Sequence, residues 1–439
     1  MEQGKGVMVV LVSLLVVGAF FYVFVQEESE EKNVCLIGYI LQQEDVVNQT
    51  NSTAVVANVR AVQFEGGGGG TFVFTEPLEG SFSIVDYPCE FPCEEVEVNI
   101  QNGTAPLRLD SGDFDGDGVD EFVLSDIGIL YPSNLKEGRV VMVEFNTSTD
   151  IFSDYVVAEN LGRVACADGG DLDGDGDLDL TLCEFGNDEG SVGWLENQGN
   201  QNWTHHILDE KPGAIEAIPI DIDGDGDLDI VSIISQLDEE IIVYWNNGVG
   251  GFVGEVLFSA NTTYFGMSGV NIDDLEGDGD LDIFFTNGDM LDLDFPEDEN
   301  YWDYHGLSVL ENQGNGSFEY SRLMAFSGAY DSIFHDIDGD GVDEIVVVGF
   351  RPIVDGSKDW GTESNIAWLD WDGEDWLGVF PVNNIATSMI SLESIDVNGD
   401  GVDELLAANH DVYSIGEGIG RVISITVSWV DACPTVMDV

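Results

Sequence analysis

The chain has 439 residues, 44% of them apolar, enough to bury a large core. Lys and Arg number 12 against 86 Asp and Glu, a formal net charge of −74 at pH 7. So acidic a surface repels nucleic acid and anionic lipid, which excludes both as partners of the folded part.

Residues 1–6 read as a short cytoplasmic tail and residues 7–25 (VMVVLVSLLVVGAFFYVFV) as one apolar run. Nineteen helical residues span about 28 Å, close to the thickness of a bilayer core. Lys5 precedes the run and an acidic linker, residues 26–33, follows it, so the positive-inside rule sends the long remainder outward. The run ends in bulky Phe-Tyr-Val-Phe-Val, where a cleaved signal peptide has small residues. It is therefore expected to be an uncleaved transmembrane anchor; cleavage would make the protein secreted. Seven N-x-S/T sequons, including those at Asn48, Asn202 and Asn261, agree with export. Six cysteines, an even number with no C-x2-C pair, suggest disulfides over zinc.

Downstream of the linker, one nine-residue pattern recurs six times, at Asp113 (DFDGDGVDE), Asp171 (DLDGDGDLD), Asp221 (DIDGDGDLD), Asp274 (DLEGDGDLD), Asp336 (DIDGDGVDE) and Asp396 (DVNGDGVDE). Oxygen-bearing side chains stand at positions one, three, five and nine: Asp113, Asp115, Asp117 and Glu121; Asp171, Asp173, Asp175 and Asp179; Asp221, Asp223, Asp225 and Asp229. The later copies supply Asp274, Glu276, Asp278 and Asp282; Asp336, Asp338, Asp340 and Glu344; Asp396, Asn398, Asp400 and Glu404. Alternate side chains that converge on one point, with glycine at positions four and six for the sharp turn, suit a hard cation such as Ca2+. About six such ions are expected. A structural role fits better than a regulated or ligand-bridging one, because four side chains fill most of a coordination sphere. Affinity is expected in the weak extracellular class, roughly 0.1–1 mM.

The copies start 58, 50, 53, 62 and 60 residues apart, which marks a repeat architecture. Each loop lies between strand-like stretches, such as AIEAIPI before Asp221 and IVSII from Ile230. A third stretch runs into an Asn-rich, Gly-containing turn (GWLENQGN, IVYWNNGVG, SVLENQGNG), and a fourth follows, such as WTHHIL from Trp203. Four short strands per repeat read as one propeller blade. Upstream, QFEGGGGGT from Gln63 keeps the glycines but lacks the ligands, and is read as a degenerate loop that binds no metal. The expected fold is thus all-β, a seven-bladed propeller over residues 34–439. The segment Cys35–Leu41 would give the last blade its fourth strand, removing exposed sheet edges. That topology pairs Cys35 with Cys433, Cys166 with Cys183, and Cys89 with Cys93.

On these residues the chain resembles the FG-GAP/VCBS repeat family, calcium-loop β-propellers that include the head of integrin alpha subunits. The resemblance covers about residues 34–439 and rests on the DxDGDGxxD/E loops and the ENQGNGSF-type hairpins. It implies calcium loops on one rim of a ring. It says little about the ligand, since family members serve in adhesion, in sugar binding and as modules attached to enzymes.

No nucleophile motif, nucleotide loop or zincin sequence occurs, so no catalytic residue is assigned and an enzyme is not expected. His205 and His206 would point to opposite faces of a strand, and His335 beside the Asp336 loop reads as structural. Trp194, Tyr244 with Trp245, and Trp368 hold equivalent third-strand positions, which favours packing between blades over ligand stacking. Trp360, Trp371 and Trp376 are better placed for exposure. Insertions at residues 288–305 and 351–365 are where a rigid ring would carry binding loops. The expected function is an extracellular, membrane-anchored recognition or adhesion module for a protein or carbohydrate. A polysaccharide-active lyase or hydrolase and a purely structural envelope protein are the alternatives.

Overall fold

The computed structural model describes residues 101–129, 132–146, 149, 151–275, 277–289, 304–314, 316–337, 339–350, 365–371, 376–379, 389–395 and 402–409. It also describes the backbone of strands Phe24–Val25, Leu36–Asn48, Val59–Val62, Gly70–Glu76, Ser81–Tyr87, Glu95–Asn99 and Arg421–Ala432. The described strands form antiparallel sheets, each built mainly from four strands that follow one another in the chain. Numbered in chain order, the sheets have as first strands Val59–Val62, Pro106–Gly112, Val164–Cys166 (continued by Gly169–Gly170), Ala214–Ile220, Met267–Asp273, Ala329–His335 and Met389–Ile395. Sheet four is typical: Ala214–Ile220, Asp229–Ser235, Glu239–Trp245 and Val253–Ser259, in that order across the sheet.

The second strands explain the long apolar runs. Every residue of Glu121–Asp126, Asp179–Glu184, Asp282–Asn287 and Glu344–Gly349 is buried. A strand covered on both faces by neighbouring sheets needs apolar residues throughout rather than alternation. The fourth strand Val253–Ser259 is mostly exposed, and its sequence is correspondingly mixed. Between sheets the core is continuous. Trp194 of sheet three packs with Ile230 and Tyr244 of sheet four, and Trp368 of sheet six with Leu405 and Ala407 of sheet seven. Three of the expected packing aromatics are therefore interior, at 3%, 2% and 0% exposure for Trp194, Tyr244 and Trp368, while Trp245 is half-buried and donates its indole N–H to Glu255 at 2.9 Å. Trp376 differs from expectation: it opens strand Trp376–Val379 and packs against the cluster of Phe284 and Leu369. Trp360 and the side chain of Trp371 lie outside the described residues.

Sheet seven joins the two ends of the repeat array. Met389–Ile395, Glu404–Asn409 and Arg421–Ala432 are followed outward by Leu36–Asn48, with Leu36 opposite Ala432. The expected closing strand is thus present and longer than its sequence suggested. The adjoining Cys35 and Cys433, and the pair Cys89 and Cys93, lie outside the described residues. So do residues 1–23, the linker 26–33 and the degenerate loop 63–69. The anchor reading needs one correction. Its last two residues, Phe24–Val25, form a strand paired with Leu36 and Ile37, so the expected helix does not extend to Val25. Aromatic and β-branched residues at that end favour the strand. Among the described residues no helix is long and apolar enough to cross a membrane.

Cys166 and Cys183 are directly opposite on adjacent strands and form the expected disulfide, buried and with Cα atoms 4.9 Å apart. The bond closes a loop of sequence separation 17 around the Asp171 turn. Chain entropy for a loop of that length is worth about 3 kcal/mol. Reduction, or Cys183→Ala, is expected to lower unfolding stability by that amount, read from denaturant melts with and without reductant.

Candidate metal centre

Each acidic loop links the first and second strands of its sheet. In the loops at Asp113, Asp171 and Asp221 the same internal turns recur. The position-three carboxylate accepts from the position-five N–H: Asp115 from Asp117 at 3.0 Å, Asp173 from Asp175 at 3.1 Å, Asp223 from Asp225 at 3.1 Å. The position-one carboxylate accepts from the second glycine: Asp113 from Gly118 at 3.0 Å, Asp171 from Gly176 at 3.1 Å, Asp221 from Gly226 at 3.0 Å. Gly174 and Gly176, at φ 76° and 97°, show why glycine is needed: both occupy the left-handed region. Asp274 and Asp336 hold Gly279 and Gly341 in the same way, at 2.8 and 2.9 Å.

The carboxylates converge. Asp113, Asp115 and Glu121 bring oxygens within 4.8 Å of one another, as do Asp171, Asp173 and Asp179, and Asp221, Asp223 and Asp225. Asp117, Asp175 and Asp229 belong to the same three loops. Asp113 Oδ1 and Asp221 Oδ1 are buried with no hydrogen-bond partner. Orphaned carboxylate oxygens beside other carboxylates fit a cation and fit little else. Each of the three clusters can hold a metal ion. Asp274, Asp278 and Asp282 and, in the next sheet, Asp336, Asp340 and Glu344 stand in equivalent loops. Glu276, Asp338, Asp396, Asn398 and Asp400 lie outside the described residues, while Glu404 opens a second strand.

Position nine does a second job that its sequence did not reveal. Asp179 accepts from the position-two N–H of Leu172 (2.9 Å) and from the N–H of Asn197 (2.8 Å). Asp282 does the same with Leu275 (2.8 Å) and Asn312 (2.7 Å). Asp229 accepts from Asn246 (2.7 Å), and Glu121 and Glu344 accept from Phe114 and Ile337, both at 2.9 Å. Burial pushes Glu121 and Asp179 up to about 7 and Asp229 up to about 6, aided by neighbouring loop carboxylates. The asparagines that enter the third-strand hairpins are thus part of the loop's support. Their fixed place after the strand was the available signal.

A second cluster lies where the first strands face one another. In every first strand from sheet two to sheet seven the ladder skips one residue: Leu107, Ala165, Ile215, Ser268, Tyr330 and Ile390 are the extra ones. Such a bulge re-aims side chains. The extra residues line an apolar mouth of about 200 Å³. The next residues, among them Arg108, Glu216 and Asp331, line a cavity of about 580 Å³ together with Asp110, Asp168 and Glu393. Arg108 Nη1 contacts Glu216 Oε1 at 2.7 Å. Burial alone would depress the Arg108 guanidinium, but Glu216 holds it above its ordinary value. Asp331 accepts from Leu392 N–H (2.8 Å) of the next sheet and Glu216 from Val270 N–H (3.2 Å). Arg108, Glu216 and Asp331 each stand five residues before the first Asp of their loop, a signal legible only once the bulge is known.

Burial, and then Glu216, push Asp331 up from 3.8 to about 7. A carboxyl raised in the fold favours the folded state while protonated in it. Its contribution is full below the unfolded value near 4 and is lost as pH rises through about 7. Asp331→Asn is therefore expected to gain on the parent chain in thermal melts as pH increases from 5 to 8.

The histidines have structural places. His206 stacks on Trp194 at 4.6 Å and bonds Glu196 at 2.7 Å, while His335 Nδ1 meets Ser394 Oγ at 2.8 Å. Residues 290–303 and 351–364, the bulk of both insertions, lie outside the described residues.

Repeated four-strand sheets, converging carboxylates in the loops after the first strands of sheets two to four and an axial cavity define an all-β, propeller-like protein. The FG-GAP-like repeat pattern matches residues 171–232 and 221–285. These repeats, together with the four-strand sheets, support a relation to the FG-GAP β-propeller family. A comparison with curated proteins finds no match. Among solved structures, the Dos1 propeller is similar with a TM-score of 0.51 at 7% identity, over 91% of this chain and 87% of that one. A lectin from Agrocybe aegerita, described as recognising non-reducing terminal N-acetylglucosamine, has a TM-score of 0.46 at 17% identity, over 87% of this chain and 94% of that one.

Proposed function

We propose that the chain is a calcium-stabilised, seven-bladed propeller that acts outside the cytoplasm as a recognition module for a protein or carbohydrate. The observation that carries the cation part is the convergence of three carboxylates in each of three successive loops, two of them with an orphaned buried oxygen. Asp113, Asp115 and Glu121, and their counterparts in the other loops, would hold the ions, and an oxygen-only donor set suits Ca2+. Bound Ca2+ would neutralise the crowded loop carboxylates and fix the turn between first and second strands. The seven sheets, of which sheet one has the degenerate loop, support the blade count. The buried disulfide supports an oxidising compartment, and the apolar run of residues 7–23, ahead of the strand Phe24–Val25, supports attachment to a membrane.

Recognition is tested by applying the labelled full chain to a glycan array and to intact cells, with and without chelator. Saturable, calcium-dependent binding without turnover is the expected result. A second reading, a polysaccharide-active enzyme, draws on the axial cavity, where Asp331 and Glu216 stand beside Arg108 and Tyr330. Release of new reducing ends from a polysaccharide panel, abolished by Asp331→Asn, would replace the recognition reading with that one.

A further inference from the structure

We propose that Asn197 and Asn246 couple neighbouring cation loops, so that the loops at Asp113, Asp171 and Asp221 load cooperatively. This rests on the calcium reading of those loops and specifies how the sites regulate one another.

Each asparagine touches two loops at once. Asn197 Nδ2 donates to the carbonyl of Phe114, position two of the preceding loop, at 2.9 Å. The same nitrogen donates to the carbonyl of Leu178, position eight of its own loop, at 3.0 Å. Its backbone N–H is held by Asp179 at 2.8 Å. Asn246 repeats the arrangement one sheet further on: Nδ2 donates to Leu172 and Leu228, both at 2.8 Å, and its N–H to Asp229 at 2.7 Å. Two residues therefore connect three successive loops, and these are the three whose carboxylates converge among the described residues.

The contact falls where it can transmit order. Position two is clamped from both sides. The N–H of Phe114 is held by Glu121 in its own loop, and its carbonyl by Asn197 in the next sheet. Leu172 is held likewise by Asp179 and Asn246. Position nine is both a candidate ligand and the acceptor that holds the asparagine, so a cation that fixes Asp179 also fixes Asn197, and with it the Phe114 peptide of the loop before. Close packing adds a second link between the Asp171 loop and the Asn246 hairpin. A Cβ on Gly250 would stand 3.2 Å from Asp173 Cβ, and one on Gly174 would stand 3.0 Å from the Gly248 carbonyl.

Without cation, several carboxylates repel across each loop, so the first ion must order the turn. A loop whose neighbour is already ordered has less left to order, which is positive cooperativity without a change of fold. Linkage makes the effect reciprocal between the Asp113 and Asp171 loops.

The test is equilibrium dialysis of the full chain against graded calcium, for the parent, Asp171→Asn, Asn197→Ala and Asn246→Ala. Circular dichroism and the intact Cys166–Cys183 bond serve as checks of folding. The parent is expected to bind with a Hill slope above one. Asp171→Asn should lose its own ion and also weaken the remaining ions of this group by about fivefold or more. Asn197→Ala should keep every ion yet flatten the Hill slope and weaken binding at the Asp113 loop, and Asn246→Ala should do the same for its pair. Folded asparagine variants with unchanged affinities and slope would overturn the coupling and leave the calcium reading standing. No calcium uptake by the folded parent chain up to about 10 mM, beyond the weak extracellular range, would overturn both.

Discussion

Chelation of calcium is expected to lower the melting temperature of this protein more than any single substitution. A ligand that binds only the folded state, at tenfold above its dissociation constant, adds about 1.4 kcal/mol per site. Six loaded loops would then contribute on the order of 8 kcal/mol, comparable with the whole stability of an ordinary domain. Bound ions would also relieve a repulsion written into the sequence. Asp113, Asp115 and Glu121 hold oxygens within 4.8 Å of one another, where a cation would offset their mutual repulsion. Differential scanning calorimetry with calcium and with chelator checks the effect, and an equal concentration of magnesium is the control for general screening. Magnesium demands a tighter octahedral shell and should recover only a small part of the shift. Identical melts in calcium and chelator would mean that these loops are held by their turns alone.

The second large effect is expected at Trp368. Its indole is fully buried between sheets six and seven, against Val346, Ile366, Met389, Leu405 and Ala407. Trp368→Ala should destabilise by about 3–5 kcal/mol, because the lost contacts are joined by a cavity that two sheets cannot both close. Leu377→Ala, at a side chain 48% exposed in the neighbouring strand Trp376–Val379, should stay within about 0.5 kcal/mol. Urea melts of the two variants give the comparison, and a loss of under 1 kcal/mol for Trp368→Ala would place the coupling of these sheets elsewhere.

Much of this fold was legible in the chain because local chemistry and architecture agree. The glycines of each acidic loop need a left-handed backbone, and Gly174 and Gly176 adopt it. The runs after the loops are apolar at consecutive positions, and strands such as Glu344–Gly349 are buried on both faces. The opposed Cys166 and Cys183 followed from loop length and strand direction. Two features escaped, for different reasons. Asn197 and Asn246 already have a local explanation as hairpin residues, so their bonds to the preceding loop left no surplus signal. The axial residues were hidden by parity. Strict alternation would place Ile215 and Glu216 on opposite faces, and only the skipped pairing between Ala214 and Glu216 lets both line the axis. The strand at Phe24–Val25 shows a converse limit: hydropathy measured an apolar length, whereas the local preference of Phe and Val set the conformation.

The recurring bulge also bears on how such a scaffold diversifies. Its extra residues, from Leu107 to Ile390, stand outside the cross-strand register, although Ser268 Oγ donates to the Ala329 carbonyl of the next sheet and Ala165 packs in the core between sheets three and four. The first strands of sheets two to seven thereby each carry one side chain that lines the central passage. A lineage built on this frame can revise what the passage admits one strand at a time, by single codon changes, without altering the register of any ladder.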